Sequence, residues 1–310
     1  MLVINNMTTL PFLKAGDTVA LAAPARKVSP DEMAPAIEML RSWGLEVLVP
    51  NGLYEGENQF AGSDSHRARL LQQLLDDSEV KAILCCRGGY GTARIVDRLD
   101  FTRFAEKPKW IVGYSDVTVL HSHIHSQLGL PTLHATMPIN FGPEPTPATE
   151  SLRQFLFGMN RDYVDYAWEP NRLNRNGKAS APVVGGNLSI LYSMLGSRSQ
   201  IDTRVKILLI EDLDEYLDHI DRMMQALRRA GMLDGLAGLI VGGMSDMHDN
   251  TVPFGRTAEE IVADAVAGFD YPVAFGAPFG HLGDNNLALP LGIKCNLEVN
   301  KSKKCRIFAP

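Results

Sequence analysis

Cysteine is scarce in this chain: four in 310 residues, none spaced as C-x-x-C. That removes zinc modules and thiol–disulfide redox pairs from consideration. Cys85 and Cys86 are adjacent in an apolar stretch and Cys295 and Cys305 lie near the end, a pattern of reduced thiols rather than a disulfide framework. Positive charge is not in excess. Thirty Lys and Arg against 36 Asp and Glu give a net charge of −6, which leaves no electrostatic footprint for nucleic acid. No apolar run approaches the length of a membrane span. The opening residues, M-L-V-I-N-N-M-T-T-L, lack the basic start and the apolar length of a signal peptide. The expectation is a cytoplasmic protein with neither a membrane nor a nucleic-acid partner.

What the chain does contain is an ordinary globular composition, 45% hydrophobic and 21% charged, over a length that favours two domains. The first half alternates strand and helix signals. Strands are expected at 18–23, 46–49, 82–86 and 110–112, and helices at 66–76, 92–99 and 117–127. Another helix should run through Trp43 from an N-cap at Ser29, with Pro30 at its first position and Glu32 completing a capping box. Strands separated by helical spacers imply right-handed crossovers and a parallel sheet, with ligands at the carboxyl ends of the strands. The rhythm breaks at Gly142-Pro143-Glu144-Pro145-Thr146-Pro147. This divides the chain into 1–147, a connector at 148–169, and 170–310. Beyond it the sequence predicts a short helix at 150–157, a turn at Asn176-Gly177, a strand at 206–210 ending in Glu211-Asp212, a helix at 216–230, a strand at 239–241 and a terminal hairpin within 293–308.

The most informative segment is K-W-I-V-G-Y-S-D, Lys109–Asp116. It places Ser115 where a strand stops and a helix starts, with Asp116 as a candidate cap for that helix. An α/β protein presents a nucleophile at such a turn, beside backbone N–H groups that can hold an oxyanion. The segment departs from a G-x-S-x-G elbow, because Asp116 and Val117 follow the serine. Serine hydrolysis also needs a base and a carboxylate to orient it. His121, His123 and His125 lie on the following helix without a third metal ligand. His66, His219 and His248 read as structural. His134 and His281 fall in loops of small residues, and His281, among Gly276, Gly280 and Gly283, is the better base. Glu211, at a strand end, is the simplest acid, with Asp212 and Asp214 as rivals. The loop R-G-G-Y-G-T-A-R, Arg87–Arg94, has poor spacing for a dinucleotide site. Its better use is to bring the Gly89 N–H beside that of Asp116 as an oxyanion hole.

Five segments in this order, R-G-G-Y-G-T-A-R, I-V-G-Y-S-D-V-T-V-L-H, V-G-G-N-L, L-L-I-E-D-L-D-E and F-G-H-L-G-D, resemble the LD-carboxypeptidase family of serine peptidases. The resemblance runs from about Lys14 to the carboxyl terminus. It implies a Ser-Glu-His triad at Ser115, Glu211 and His281, and a Rossmann-like amino-terminal domain joined to a smaller β-rich α/β domain. It also implies a site between the two domains, usually in a homodimer, with no metal or cofactor. Arg87, His134 and Asn187 become substrate-lining candidates, although Ala135 and Thr136 replace the Gly and Pro of the family's H-G-P-M. The implied reaction removes terminal D-alanine from a cell-wall tetrapeptide. The alternatives are a relative that cleaves microcin C-type peptidyl-nucleotides for self-immunity, and a non-catalytic nucleotide- or peptide-binding protein on the same scaffold.

Overall fold

The computed structural model describes residues 10–159 and 164–309. The leader reading, apart from Leu10, lies outside the described residues, as do residues 160–163 of the expected connector. The first sheet is built from β1 (Thr18–Ala22), β2 (Glu46–Leu48), β3 (Val80–Cys85), β4 (Trp110–Gly113) and β5 (Thr132–His134). The second holds β6 (Asp165–Trp168), β7 (Gly177–Asn187), β8 (Ile207–Leu213), β9 (Gly238–Ser245), β10 (Val273–Phe275), β12 (Lys294–Val299) and β13 (Cys305–Phe308). One strand of the carboxyl-terminal region, β11 (Leu289–Leu291), crosses over and completes the first sheet.

The first sheet has the order β11-β5-β4-β3-β1-β2, parallel except for β11. The second runs β10-β9-β8-β7-β12-β13-β6, parallel from β10 to β7 and antiparallel beyond. The long β7 makes both kinds of pairing, antiparallel to β12 through Gly177–Pro182 and parallel to β8 through Val183–Asn187. β4 is buried along its whole length, and β8 is buried except at Leu213. Cover on both faces explains why these strands read as unbroken apolar runs rather than as alternating ones. β12 does alternate, with Cys295, Leu297 and Val299 inward.

The helices are α1 (Pro30–Ser42), α2 (Asp64–Asp76), α3 (Thr102–Glu106), α4 (Thr118–Leu128), α5 (Pro147–Phe157), α6 (Leu188–Ser193), α7 (Leu217–Arg229) and α8 (Ala258–Ala265). α1 starts as its sequence predicts. Ser29 accepts from the Glu32 N–H, Glu32 accepts from the Ser29 N–H, and Pro30 sits at the first turn. α4 packs against β5, α6 and the end of β7, so it joins the two sheets. The V-G-G-N segment is part of that joint. A side chain on Gly186 would meet Thr118 Oγ1 at 2.5 Å, and the Asn187 N–H donates to the same oxygen at 3.1 Å.

Four local expectations need correction. Residues 92–99 form two short 3-10 turns, not a helix, in a segment whose Thr92, Ile95 and Val96 are β-branched and fit a helix poorly, and the Thr92 N–H donates to the Asp116 carboxylate. That same bond means the Asp116 side chain caps no helix. Asn176-Gly177 is not a hairpin turn. Gly177 opens β7, and the Asn176 side-chain Oδ1 accepts from the Lys301 N–H. His134 is not in a loop either. It ends β5, fully buried between Gly113 of β4 and Leu289 of β11.

Candidate active site

The carboxyl ends of β4 and β8 and the loop after β10 converge. Ser115 follows β4 with φ at 61°, a left-handed conformation that costs a non-glycine residue about 1–3 kcal/mol and persists only where surrounding structure imposes it. Here the imposing contacts are the Val117 N–H to the Tyr114 carbonyl and the buried Asp116 carboxylate to the Thr92 N–H at 2.9 Å. Burial pushes the Asp116 carboxyl up from its usual range, and Thr92 opposes the shift. The bond ties the serine turn to the glycine-rich loop.

In that loop Gly88 is the residue that abuts the serine. A Cβ on Gly88 would lie 3.0 Å from Ser115 Cβ, 3.1 Å from Oγ and 3.5 Å from the Asp116 nitrogen. Gly89, with φ at 98°, turns toward Arg26, whose Cδ a side chain would meet at 2.5 Å. Gly88→Ala is therefore expected to lower kcat by about a hundredfold, the usual effect of displacing a reacting atom by about 1 Å. Gly142→Ala, where a Cβ meets nothing within 4 Å, should leave the rate unchanged. Equal rates for the two variants would contradict the placement.

Glu211 is fully buried on β8, where the register with β9 shifts between Ile210 and Asp212. Such an irregularity re-aims side chains beside a site. Glu211 Oε2 accepts from His281 Nδ1 at 2.6 Å and from the His281 backbone N–H at 3.3 Å. The approach depends on Gly280, since a Cβ there would sit 2.5 Å from Glu211 Oε2. The His281 carbonyl accepts from Ser245 Oγ at 2.6 Å, which holds the loop. Burial pushes the His281 imidazole down, but the hydrogen bond and charge of Glu211 more than offset this, so it titrates above its ordinary value. With Nδ1 committed to Glu211, Nε2 is the nitrogen left to take a proton. The ring lies 4.8 Å, centroid to centroid, from that of Tyr114, the residue before the serine. Ser115 Oγ makes no hydrogen bond to His281; the bond between a nucleophile and its base often tightens only when substrate binds.

The rival acids have other partners. Asp212 accepts from Asn187 Nδ2 and from the Ser189 N–H and hydroxyl; burial raises its carboxyl to about 6. Asp214 pairs with His248. Asn187 caps α6 as well, so its side chain is spent on holding Asp212 and that helix. Arg87 pairs with Glu32 at 3.1 Å and Arg94 with Asp64 at 2.8 Å. Arg26 lies against Gly89 with no carboxylate partner among the described residues. It escaped the sequence reading, although its place just after β1, at the carboxyl edge of the sheet, was the available signal. His121 Nε2 donates to the Gly113 carbonyl and His123 pairs with Ser199. Among the described residues no group of three or more His, Cys, Asp or Glu could hold a metal ion, and no helix is long and apolar enough to cross a membrane.

A carboxylate–imidazole pair beside a hydroxyl in a strained turn is an arrangement for acyl transfer. Comparison with known proteins points the same way. Residues 19–135 match the LD-carboxypeptidase N-terminal domain and residues 180–297 the LD-carboxypeptidase C-terminal domain. A probable murein peptide carboxypeptidase of Bacillus subtilis is 38% identical over 302 residues, covering 96% of this chain and 92% of that protein. The microcin C7 self-immunity protein MccF of Escherichia coli is 25% identical, covering 92% of each. The crystal structure of muramoyltetrapeptide carboxypeptidase from Oxalobacter formigenes superimposes with a TM-score of 0.84 at 25% identity, over 94% of this chain and 99% of that one. With both domain models matched in order and a relative of this identity along nearly its whole length, the chain belongs to the LD-carboxypeptidase family of serine peptidases.

Proposed function

We propose that this protein is a murein tetrapeptide carboxypeptidase, with Ser115, His281 and Glu211 as nucleophile, base and orienting acid. The observation that carries the reading is the 2.6 Å bond from His281 Nδ1 to the buried Glu211, set against the serine turn. His281 Nε2 takes the proton of Ser115 Oγ as the oxygen attacks the carbonyl of the penultimate, L-configured diamino acid. The oxyanion accepts from the N–H groups of Gly89 and Asp116, to which the close approach of Gly88 lends support. Collapse breaks the amide as Nε2 returns the proton to the departing D-alanine amine. Water, deprotonated by the same nitrogen, then releases the tripeptide from Ser115.

A carboxypeptidase must also recognise the terminal carboxylate. Arg87 and Arg94 are engaged by Glu32 and Asp64, which leaves Arg26, against the glycine loop, as the cation for that group. Arg26→Ala should raise KM for the tetrapeptide about tenfold with kcat little changed, as loss of one charge-assisted bond does. Wild-type enzyme should show the same loss on a carboxyl-amidated tetrapeptide, and the variant should not distinguish the two substrates. A variant that still discriminates would rule Arg26 out.

The self-immunity reading requires an aromatic face for a nucleobase. Trp168, the tryptophan of the connector segment, is buried, donates to the Phe275 carbonyl and packs on Phe279. The test is a side-by-side assay of D-alanine release from the tetrapeptide and cleavage of aspartyl sulfamoyl adenosine. The tetrapeptide should be preferred by orders of magnitude, and the reverse preference would overturn the assignment. A cytoplasmic setting fits the four buried free thiols, and the family resemblance supports a homodimer. The working domain limits remain 1–147 and 170–310, with β11 reaching back across.

A further inference from the structure

Behind the Glu211–His281 pair lie three buried polar groups that the mechanism above does not use. Glu211 Oε1 has no hydrogen-bond partner among the described residues, nor has Asn286 Nδ2, nor has either ring nitrogen of His134. All three residues are essentially inaccessible to solvent. They are also neighbours. Asn286 Oδ1 accepts from the Gly280 N–H at 2.8 Å, and Gly280 is the residue pressed against the Glu211 carboxylate. His134 is paired across the sheet with Leu289, three residues after Asn286, and with Gly113, two residues before Ser115. The Tyr114 ring touches both imidazoles, with centroids 5.9 Å from His134 and 4.8 Å from His281. Leaving so many buried donors and acceptors unpaired in one place is costly. Two donors and a carboxylate oxygen are the partner count that a buried water requires.

We propose that His134 and Asn286 hold a buried water against Glu211 Oε1, which makes His134 a positioning residue for the acid of the triad. The water accepts from Asn286 Nδ2 and from one His134 N–H, and donates to Glu211 Oε1. The other carboxylate oxygen is thereby kept aimed at His281 Nδ1. Burial holds the His134 imidazole down to about 4, so it is neutral and keeps a single N–H. The titratable groups that face the pair are His134 from β5, Tyr114 from β4 and Asp212 from β8 itself. The donors direct positive potential at the Glu211–His281 pair, so removing them favours protonation of the pair.

The inference rests on the triad assigned above, and its test has a readout that needs no substrate. His134→Leu should lower kcat about tenfold, the rate equivalent of leaving one buried acceptor unpaired, with KM within about twofold. The His281 ring, followed by NMR in histidine-labelled protein, should titrate at higher pH, and the acid limb of kcat/KM should move up with it. His134→Gln, which keeps an N–H, should restore most of both. Should His134→Leu fail to fold, Asn286→Leu removes the other donor and is expected to shift the His281 titration in the same direction. An unmoved titration in a folded variant, or equal damage from Leu and Gln, would overturn the proposal. Absence of D-alanine release by the wild type would instead refute the proposed function, while the His281 titration would still decide the role of His134.

Discussion

Ser115→Ala should lower kcat for D-alanine release on the order of 10⁴-fold or more, leaving only the acceleration that binding and the oxyanion donors supply. The size of the effect follows from the geometry. The other hydroxyl of the turn between β4 and α4, that of Tyr114, accepts from Asn140 Nδ2 at 3.0 Å, and the left-handed backbone at residue 115 presents the serine side chain at the carboxyl edge of the sheet. The variant should still fold, since the turn is held by the Asp116–Thr92 bond and the Val117–Tyr114 bond rather than by the serine hydroxyl. Substrate binding measured on Ser115→Ala should therefore be close to the wild-type KM. A variant that retained a tenth of the wild-type kcat would remove Ser115 from the mechanism.

Glu211→Gln should cost about 10³–10⁴-fold in kcat. An amide in place of the carboxylate no longer fixes the Nδ1–H tautomer or stabilises the imidazolium formed during attack. The pH profile adds a second, independent readout. The base must be neutral to act, so kcat/KM rises with pH as His281 loses its proton. Burial alone would place that limb below the ordinary imidazole value. The bond and charge of Glu211 place it above, and the residual activity of Glu211→Gln should show the limb at lower pH than in the wild type. This direction is opposite to that expected for His134→Leu, so the two variants separate loss of the acid's charge from loss of its support. An unchanged limb together with a rate within about threefold of wild type would mean that Glu211 does not act on His281.

Local signals made much of this arrangement legible in the sequence. The Ser29-Pro30-Asp31-Glu32 start of α1 and the apolar runs of β4 and β8 are short-range features, and each formed where its residues predicted. The sequence also placed Ser115 and Glu211 at element ends and His281 in a loop of small residues, but residue chemistry alone could not choose among Glu211, Asp212 and Asp214. That choice depends on a register shift between β8 and β9 and on the space left by Gly280, both of which are tertiary facts. Asp116 was misread for the same reason. An aspartate at a helix start is usually a cap, whereas here it reaches across to Thr92 in another loop. His134 looked like a loop residue because T-L-H-A-T is too short to signal a strand, and its β11 partner is more than 150 positions away. Arg26 carried no motif and stood out only once the carboxylate partners of Arg87 and Arg94 were known.

The central claim is that Ser115 is a nucleophile activated by His281. Active-site labelling with a fluorophosphonate, followed by peptide mass mapping, tests it most directly. The wild type should gain one adduct per chain, on the peptide that contains Ser115, and His281→Ala should label far more slowly. A label on another residue, or a folded, D-alanine-releasing enzyme whose Ser115 stays unmodified, would contradict it.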